Sequence, residues 1–171
     1  MSFRNEEKLH LSKSKIFLFK DFLYKKKAKK IFNKRKINSI YFDNKNFDMY
    51  NHSIEGLVPR KKIRLRYYNE NINHLLIETK ISSAEGRYKT SKKLIDTNIL
   101  KGITDFDYGK IFPVSIVSYD RSYYSLKNTR ITIDENITYQ KYNNKRVYND
   151  NNIVAEIKTS FKYPQDIIQE L

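Results

Sequence analysis

Residues 60–68 read Arg-Lys-Lys-Ile-Arg-Leu-Arg-Tyr-Tyr. Residues two apart in a β-strand share a face, so a strand here puts four cations on one face and mainly apolar residues on the other. The cations are Arg60, Lys62, Arg64 and Arg66. Like charges in a row on one face repel one another unless an anion lies between them. The stretch therefore predicts a β-strand whose charged face binds an anion.

The same alternation recurs in four other segments. Their charged or polar positions are Arg4, Glu6, Lys8 and His10; Glu78 and Lys80; Arg130, Thr132 and Asp134; and Glu156 and Lys158. Any one of these segments alone is more typical of a strand that faces water. The five together favour a phosphate site, because Arg makes two-point contacts to phosphate oxygens and carboxylates can bind a bridging divalent ion. A closed barrel with a polar interior would place all five faces around one ligand.

The composition agrees with a compact, strongly basic protein. The chain has 171 residues, 39% of them hydrophobic, and a net charge of +15, which we interpret as one domain over residues 1–171 that attracts polyanions. Nucleic acid, an anionic membrane surface and phosphate chains are the candidate partners. The chain has no cysteine, so disulfides and thiolate metal sites are excluded and a hard ion such as Mg²⁺ or Mn²⁺ is favoured.

The location of the protein is inferred from what the sequence lacks. No apolar run approaches the roughly 18 residues of a membrane span, and Met1 leads into charged residues, unlike a signal peptide. We expect a cytoplasmic protein, with attachment to the periphery of a membrane left open.

Periodicity divides the chain into one helix and many short strands. An amphipathic helix is predicted from Ser12 or Ser14 to about Asn33, with a basic second half. It is either a surface helix with a solvated lysine face, a basic gate for a polyanion, or a contact with an anionic membrane. Strands are predicted at about 4–10, 36–43, 60–68, 74–82, 86–91, 113–123, 129–134, 137–142 and 152–160. This pattern predicts an α+β, mainly β fold: an antiparallel closed tunnel barrel of about eight strands with a few packing helices.

Blocks spread over nearly the whole chain resemble the polyphosphate polymerase domain of the vacuolar transporter chaperone (VTC) type, a branch of the triphosphate tunnel metalloenzymes. The blocks are Arg4-Asn5-Glu6-Glu7-Lys8, Asn38 to Asn44 with Tyr50, Lys62 to Tyr68, Glu78-Thr79-Lys80, Tyr119-Asp120-Arg121, Arg130 to Asp134, and Ala155 to Lys158. Their order is that of the family. Arg4 at the first position resembles the VTC branch more than the hydrolase branches.

The resemblance implies transfer of the terminal phosphoryl group of ATP to a growing polyphosphate chain, with Mn²⁺ or Mg²⁺. It assigns phosphate contacts of the catalytic site to Lys8, Arg64, Arg66, Lys80 and Arg121, and metal binding to Glu156. Strand face and charge add further phosphate contacts at Arg60, Lys62, Lys89, Arg130 and Lys158. Glu6 and Glu78 are either additional metal ligands or carboxylates that separate neighbouring cations.

One difference from the family concerns the end of the chain. Members usually continue through further helices to a late Ser-Lys-aromatic segment whose lysine faces the tunnel, and Lys162 lies too close to Glu156 to be its counterpart. We therefore expect a single VTC-like domain that is shortened at this end, which leaves catalysis open.

Three functions remain in competition at this level. The first is a polyphosphate polymerase that uses ATP. The second is a tripolyphosphatase or nucleoside triphosphatase of the same fold, in which water replaces the phosphate acceptor. The third is a non-catalytic module that binds polyphosphate or, less favoured, RNA, because the Arg64 face lacks the interleaved aromatic residues of single-strand binders. No specific nucleic acid is expected, whereas a membrane-protein partner is left open.

Overall fold

The structure, a computed structural model, describes residues 4–94 and 97–160. Its elements are, in chain order, β1 (Arg4–Leu11), α1 (Lys13–Lys25), β2 (Lys29–Asp43), α2 (Asp48–Ile54), β3 (Arg60–Tyr68), β4 (Asn71–Ser83), β5 (Gly86–Lys93), a 3-10 helix (Thr97–Lys101), β6 (Ile103–Asp105), β7 (Gly109–Leu126), β8 (Thr129–Lys141), β9 (Val147–Asn149) and β10 (Ile153–Ser160). Among these residues, no helix is long and apolar enough to cross a membrane. Lys162 lies outside the described residues.

The strands form one sheet of ten strands. Its hydrogen-bonded order is β1-β10-β8-β7-β2-β3-β4-β5, with β6 beside β7 and β9 beside β8. The pairs β1–β10, β10–β8, β2–β3, β3–β4 and β4–β5 are all antiparallel, so the prediction of a mainly β, antiparallel fold with a few helices is confirmed. A closed barrel needs a pairing between its end strands. In the part of the chain that the structure describes, no pairing joins β1 to β5, so the predicted closed barrel is not confirmed.

The chain is organised in two compact units. Unit 1 comprises residues 1–36, 119–138 and 149–171, and unit 2 comprises residues 37–118 and 139–148. The long strands β2, β7 and β8 contribute residues to both units. That the whole chain forms one domain stays a prediction.

In unit 1, a helix covers the apolar face of the sheet. The side of α1 that carries Ile16, Phe19 and Leu23 packs against the apolar face of β8 and β10. The sheet residues of this cluster include Ile131, Ile133, Ala155 and Ile157, none more than 1% exposed. The face of β8 and β10 predicted from alternation to be apolar is therefore the core face.

Unit 2 has its own core. The cluster contains Ile63 and Leu65 of β3 with residues of β2, α2 and β7, namely Ile40, Phe42, Met49 and Ile111. The predicted division of β3 into an apolar and a charged face is thus confirmed on the apolar side.

The predicted helix is too long. The observed helix α1 ends at Lys25, and strand β2 begins at Lys29, within the basic run that follows the helix. Lys27 has a left-handed backbone with φ of 56°, and the amide of Ala28 donates to the carbonyl of Leu23 at 2.8 Å, a bond that closes the last turn. The prediction of a helix to Asn33 is wrong because the pairing of β2 within the sheet overrides the helix preference of lysine.

Two other boundaries differ from the predictions. The segments 129–134 and 137–142 are parts of one strand, β8. Helix α2 was not predicted; Asp43, at the end of β2, caps it by accepting hydrogen bonds from the amides of Met49 at 3.0 Å and Tyr50 at 2.9 Å. Asp43 does not directly precede Asp48, the first residue of the helix, as a usual N-cap residue would, so the common capping motif does not indicate it.

Candidate functional site

Unit 2 carries a charged face on β3, β4 and β5. Register places Lys62 opposite Lys80, and Lys80 opposite Lys89, so three lysines lie side by side across three strands; we call these the lysine row. All three side chains are exposed. A row of exposed cations attracts negatively charged ligands. The lysine row therefore suits a polyanion.

The next row of this face is organised by one buried carboxylate. Glu78, whose side chain is 5% exposed, accepts from Arg64 Nε at 2.8 Å and from Lys89 Nζ at 2.6 Å. Arg66 NH1 lies 3.6 Å from the same carboxylate, and Arg64 NH1 donates to the Tyr41 hydroxyl at 2.9 Å. Three cations thus converge on Glu78, which holds them in place.

The ionisation of Glu78 reflects these contacts. Burial, the largest single influence, raises the pKa of this carboxyl group, but Lys89, Arg66 and Arg64 together outweigh it and hold the pKa below its usual value. Burial likewise lowers the pKa of Arg64, and Tyr41 and Glu78 more than offset that effect. Glu78 and Arg64 therefore both stay charged near neutral pH.

Arg60 and Arg66, at the ends of the predicted cation row, have protein partners of their own. Arg60 NH1 donates to the carbonyls of Gly56 at 3.2 Å and Leu57 at 2.9 Å, which ties β3 to the preceding loop. Arg66 is buried and its Nε donates to Ser39 Oγ at 3.3 Å. The lysine row, whose three side chains are exposed, is therefore the most accessible part of this face.

Unit 1 carries a second charged face, on β1, β10 and β8. One row consists of Lys8, Glu156 and Thr132, which are directly opposed in register. The adjacent row consists of Glu6, Lys158 and Arg130. Lys158 Nζ lies 3.0 Å from Glu6 and 3.6 Å from Glu156, so one lysine separates two carboxylates.

Accessibility differs within the face of unit 1. Glu156 and Thr132 are buried, whereas Lys8 and Arg130 are exposed. The Arg130 guanidinium lies over the ring of Tyr123, 5.6 Å from its centroid, and this contact restrains a side chain that would otherwise move freely in solvent.

Arg121 is held by a two-point ion pair. Its Nε and NH2 donate to the two carboxylate oxygens of Asp134 at 2.5 and 2.6 Å. Burial lowers the pKa of Arg121, but Asp134, Tyr119 and Glu156 more than offset this and raise it far above its usual value. The predicted phosphate contact is therefore a fixed positive charge whose orientation is set by Asp134.

The carboxylates differ in how well they fit a divalent metal. In residues 4–94 and 97–160, no group of three or more His, Cys, Asp or Glu side chains could hold an ion. Mg²⁺ is often bound by one or two carboxylates together with substrate phosphates, and Glu156 with Glu6 fits this arrangement. Glu78 fits it poorly, because its oxygens already accept from Arg64 and Lys89 and form an ion pair with Arg66.

The sequence prediction placed Thr132 and Asp134 on the polar face of β8 without giving them a role in the site, and it gave no site role to Tyr41 or Ser39. Thr132 is 2% exposed, and its hydroxyl has no hydrogen-bond partner among the described residues. A buried hydroxyl normally finds a partner, so a ligand beside Glu156 would supply one. Thr132 and Asp134 stand in the alternation of β8, and that pattern was sufficient to find them.

Comparisons with known proteins show the family and the fold of the chain. A family model described as the VTC domain matches residues 3–107 and 103–171. The comparison with curated protein sequences found no match.

Solved structures share the fold at low sequence identity. A "putative adenylyl cyclase" from Hippeastrum, described as having a dominant triphosphatase activity, is 14% identical with a TM-score of 0.59, over 98% of this chain and 84% of that one. A "putative adenylate cyclase" from Vibrio parahaemolyticus is 13% identical with a TM-score of 0.56, over 99% and 82% of the two chains. A conserved hypothetical protein from Pyrococcus furiosus is 14% identical with a TM-score of 0.58, over 98% and 85%. Since the family model matches both halves of the sequence, the resemblance is confirmed and the chain belongs to the VTC domain family.

Proposed function

We propose that this protein is a polyphosphate polymerase that transfers the terminal phosphoryl group of ATP to the end of a polyphosphate chain. The observation that carries the proposal is the charged face of unit 2, where Glu78 holds Arg64, Arg66 and Lys89 beside the lysine row. Membership of the VTC domain family supports the same proposed activity. A phosphate chain carries repeated negative charge, which a row of exposed cations attracts.

The chemistry needs no protein nucleophile. An oxygen of the terminal phosphate of the chain attacks the γ-phosphorus of ATP, the bond to the β,γ-bridging oxygen breaks, and ADP leaves. Phosphoryl transfer of this kind depends on positioning and on neutralising charge. In this proposal the phosphate contacts of the catalytic site are Arg64, Arg66 and Lys80 on the charged face of unit 2, and Lys8 and Arg121 on that of unit 1.

The remaining cations hold the parts of the ligand that do not react. They are Arg60, Lys62, Lys89, Arg130 and Lys158. Glu156, with Glu6, would bind Mn²⁺ or Mg²⁺, which when bound neutralises phosphate oxygens that the cations do not reach. Glu78 positions cations and does not bind metal.

A second function has an observation in its favour. The Hippeastrum protein of the same fold is described as having a dominant triphosphatase activity. With water as the acceptor, the same cations would support hydrolysis of a triphosphate to a diphosphate and phosphate.

The test is incubation of the purified chain with ATP and Mn²⁺, with and without a short polyphosphate primer, followed by gel analysis of the products. A ladder of long phosphate chains that disappears in the Arg64→Ala, Arg66→Ala variant supports the polymerase. Release of phosphate without polymer supports the triphosphatase. Binding of tripolyphosphate without turnover of ATP would leave a binding module.

Arg66 is buried, so a variant that folds safely is needed beside the first. Lys62→Gln with Lys80→Gln removes two exposed charges of the lysine row. Lys45→Gln with Lys101→Gln removes the same charge from exposed positions elsewhere in unit 2 and serves as the matched control. Polymer formation is expected to fall in the first pair and to persist in the second.

A further inference from the structure

Helix α1 exposes large apolar side chains on the side that faces away from its own core. Ile16, Phe19 and Leu23 are buried in unit 1. On the outward side, Phe17 is 73% exposed and Leu18 is 72% exposed, and near the end of the helix Tyr24 is 83% exposed. Adjacent apolar side chains that remain in water on one helix indicate a surface that another phase or molecule covers.

The charge around these side chains is strongly positive. Five of the six residues from 25 to 30 are lysines, and Lys13, Lys15 and Lys20 lie on the helix itself. Asp21 is the one acidic residue of the stretch 13–30, and it pairs with Lys25 at 2.7 Å. Eight lysines against one aspartate leave this stretch with a net charge of +7.

A lipid surface matches both properties at once. Anionic headgroups attract clusters of four to eight lysines, and the acyl boundary accepts Phe and Leu while Tyr prefers the interface. Free phosphate chains would account for the lysines but would leave Phe17 and Leu18 in water. None of the residues assigned above to phosphate or metal binding lies on α1.

We propose that the outward side of α1, together with the lysines from 25 to 30, attaches the protein to the surface of an anionic lipid bilayer. Phe17 and Leu18 enter the headgroup and acyl boundary, and the lysines contact the headgroups. The attachment is peripheral and needs no membrane-spanning segment. It does not rest on the proposed polymerase activity.

The chain contains no tryptophan, so a single introduced Trp reports on one position. The Phe17→Trp variant is mixed with vesicles of phosphatidylcholine alone and of phosphatidylcholine with phosphatidylglycerol. We expect a blue shift of emission only with the anionic vesicles. Phe106→Trp is the control, because Phe106 is 99% exposed in unit 2; its emission stays unchanged.

Co-sedimentation with the same vesicles measures the affinity. Replacing Lys25, Lys26 and Lys27 by Gln is expected to weaken binding by on the order of a hundredfold, since each lysine near the surface contributes about fivefold. Phe17→Ser with Leu18→Ser weakens it by about tenfold or more. Lys45→Gln with Lys92→Gln and Lys101→Gln removes the same charge from exposed positions of unit 2 and leaves binding near the parental value.

One further measurement separates membrane attachment from the proposed polymerase activity. The Lys62→Gln, Lys80→Gln variant is expected to bind vesicles like the parent even if its polymer synthesis is lost. Circular dichroism confirms that each variant is folded. Unchanged Phe17→Trp emission with anionic vesicles, or equal loss of binding in the α1 lysine variant and its control, would overturn the proposal.

Discussion

The exchange Glu78→Gln tests whether one carboxylate organises the charged face of unit 2. The variant keeps the shape of the side chain but removes the charge that Arg64, Arg66 and Lys89 share. Removing one partner of a buried ion pair costs about 3–5 kcal/mol. Because Lys89 is half exposed and water can compensate there, we expect the lower end, about 3 kcal/mol. For a chain of this size that lowers the Tm by about 6–12 °C.

Thermal unfolding followed by circular dichroism at neutral pH measures the effect. Glu85→Gln is the matched control, because Glu85 lies in the turn before β5 and is exposed; its Tm stays at the parental value. A Glu78→Gln variant as stable as the Glu85→Gln variant would refute the role given to this carboxylate.

The same pair of variants has a defined pH dependence. The pKa of Glu78 is lower in the folded protein than its usual value of 4.5, so its stabilising effect is fully present above that value and is lost as the pH falls through the folded pKa. The difference in Tm between parent and Glu78→Gln is therefore expected to shrink below about pH 4.5. A difference that grows on acidification would contradict the assignment.

Addition of tripolyphosphate gives a further test of the role of Glu78. Tripolyphosphate supplies negative charge to the cations that Glu78 neutralises, so it is expected to raise the Tm of Glu78→Gln more than that of the parent. An equal rise in both proteins would mean that the ligand binds away from Arg64 and Lys89.

Two further exchanges probe the face of unit 1. Arg121→Gln leaves Asp134 buried without its cation and is expected to lower the free energy of unfolding by about 3–5 kcal/mol, measured by urea denaturation, with part of the loss recovered by adding Asp134→Asn; full additivity of the two changes would argue against their pairing. Thr132→Val removes a buried hydroxyl that has no partner among the described residues, so it is expected to leave stability unchanged or raised but to weaken tripolyphosphate binding in the presence of Mn²⁺. Unchanged affinity, measured by calorimetric titration, would exclude the hydroxyl as a ligand contact.

Much of the fold could be predicted because alternation has a local cause. Ile63 and Leu65 are buried in unit 2, and Ile131 and Ile133 in unit 1, as their spacing indicates. The charged residues between them share the opposite faces, since side chains of a strand alternate by geometry alone. The mainly β, antiparallel class follows from this pattern.

The end of α1 could not be predicted from the same reasoning. Lysines at 25–27 and at 29–30 favour a helix and its last turn over a strand, so the sequence predicts that the helix continues. Lys27 takes a left-handed conformation that glycine or asparagine usually provides, so the sequence lacks the usual stop motif. The chain turns there because β2 is paired within the sheet, and that pairing is a tertiary effect.

The roles of Glu6 and Glu78 depend on the register in which their strands pair, and this register could not be predicted from the sequence. Glu6 and Glu78 were equally plausible as metal ligands and as spacers between cations. Register brings Arg64 opposite Glu78, and the side chains of Arg66 and Lys89 also reach its carboxylate, which favours the role of a spacer between cations. Register also places Glu6 opposite Lys158 and Lys158 beside Glu156, which leaves Glu6 suited to either role.

The most direct test of the account is calorimetric titration of tripolyphosphate into three proteins at one fixed salt concentration. These are the parent, the Lys62→Gln, Lys80→Gln variant and the Lys45→Gln, Lys101→Gln control, which have matched charge changes. The account predicts that binding is lost or weakened about tenfold or more in the lysine-row variant and kept in the control, because only the former lies on the phosphate-binding face. Equal affinities in the two variants would contradict it, since binding would then depend on net charge and not on that face.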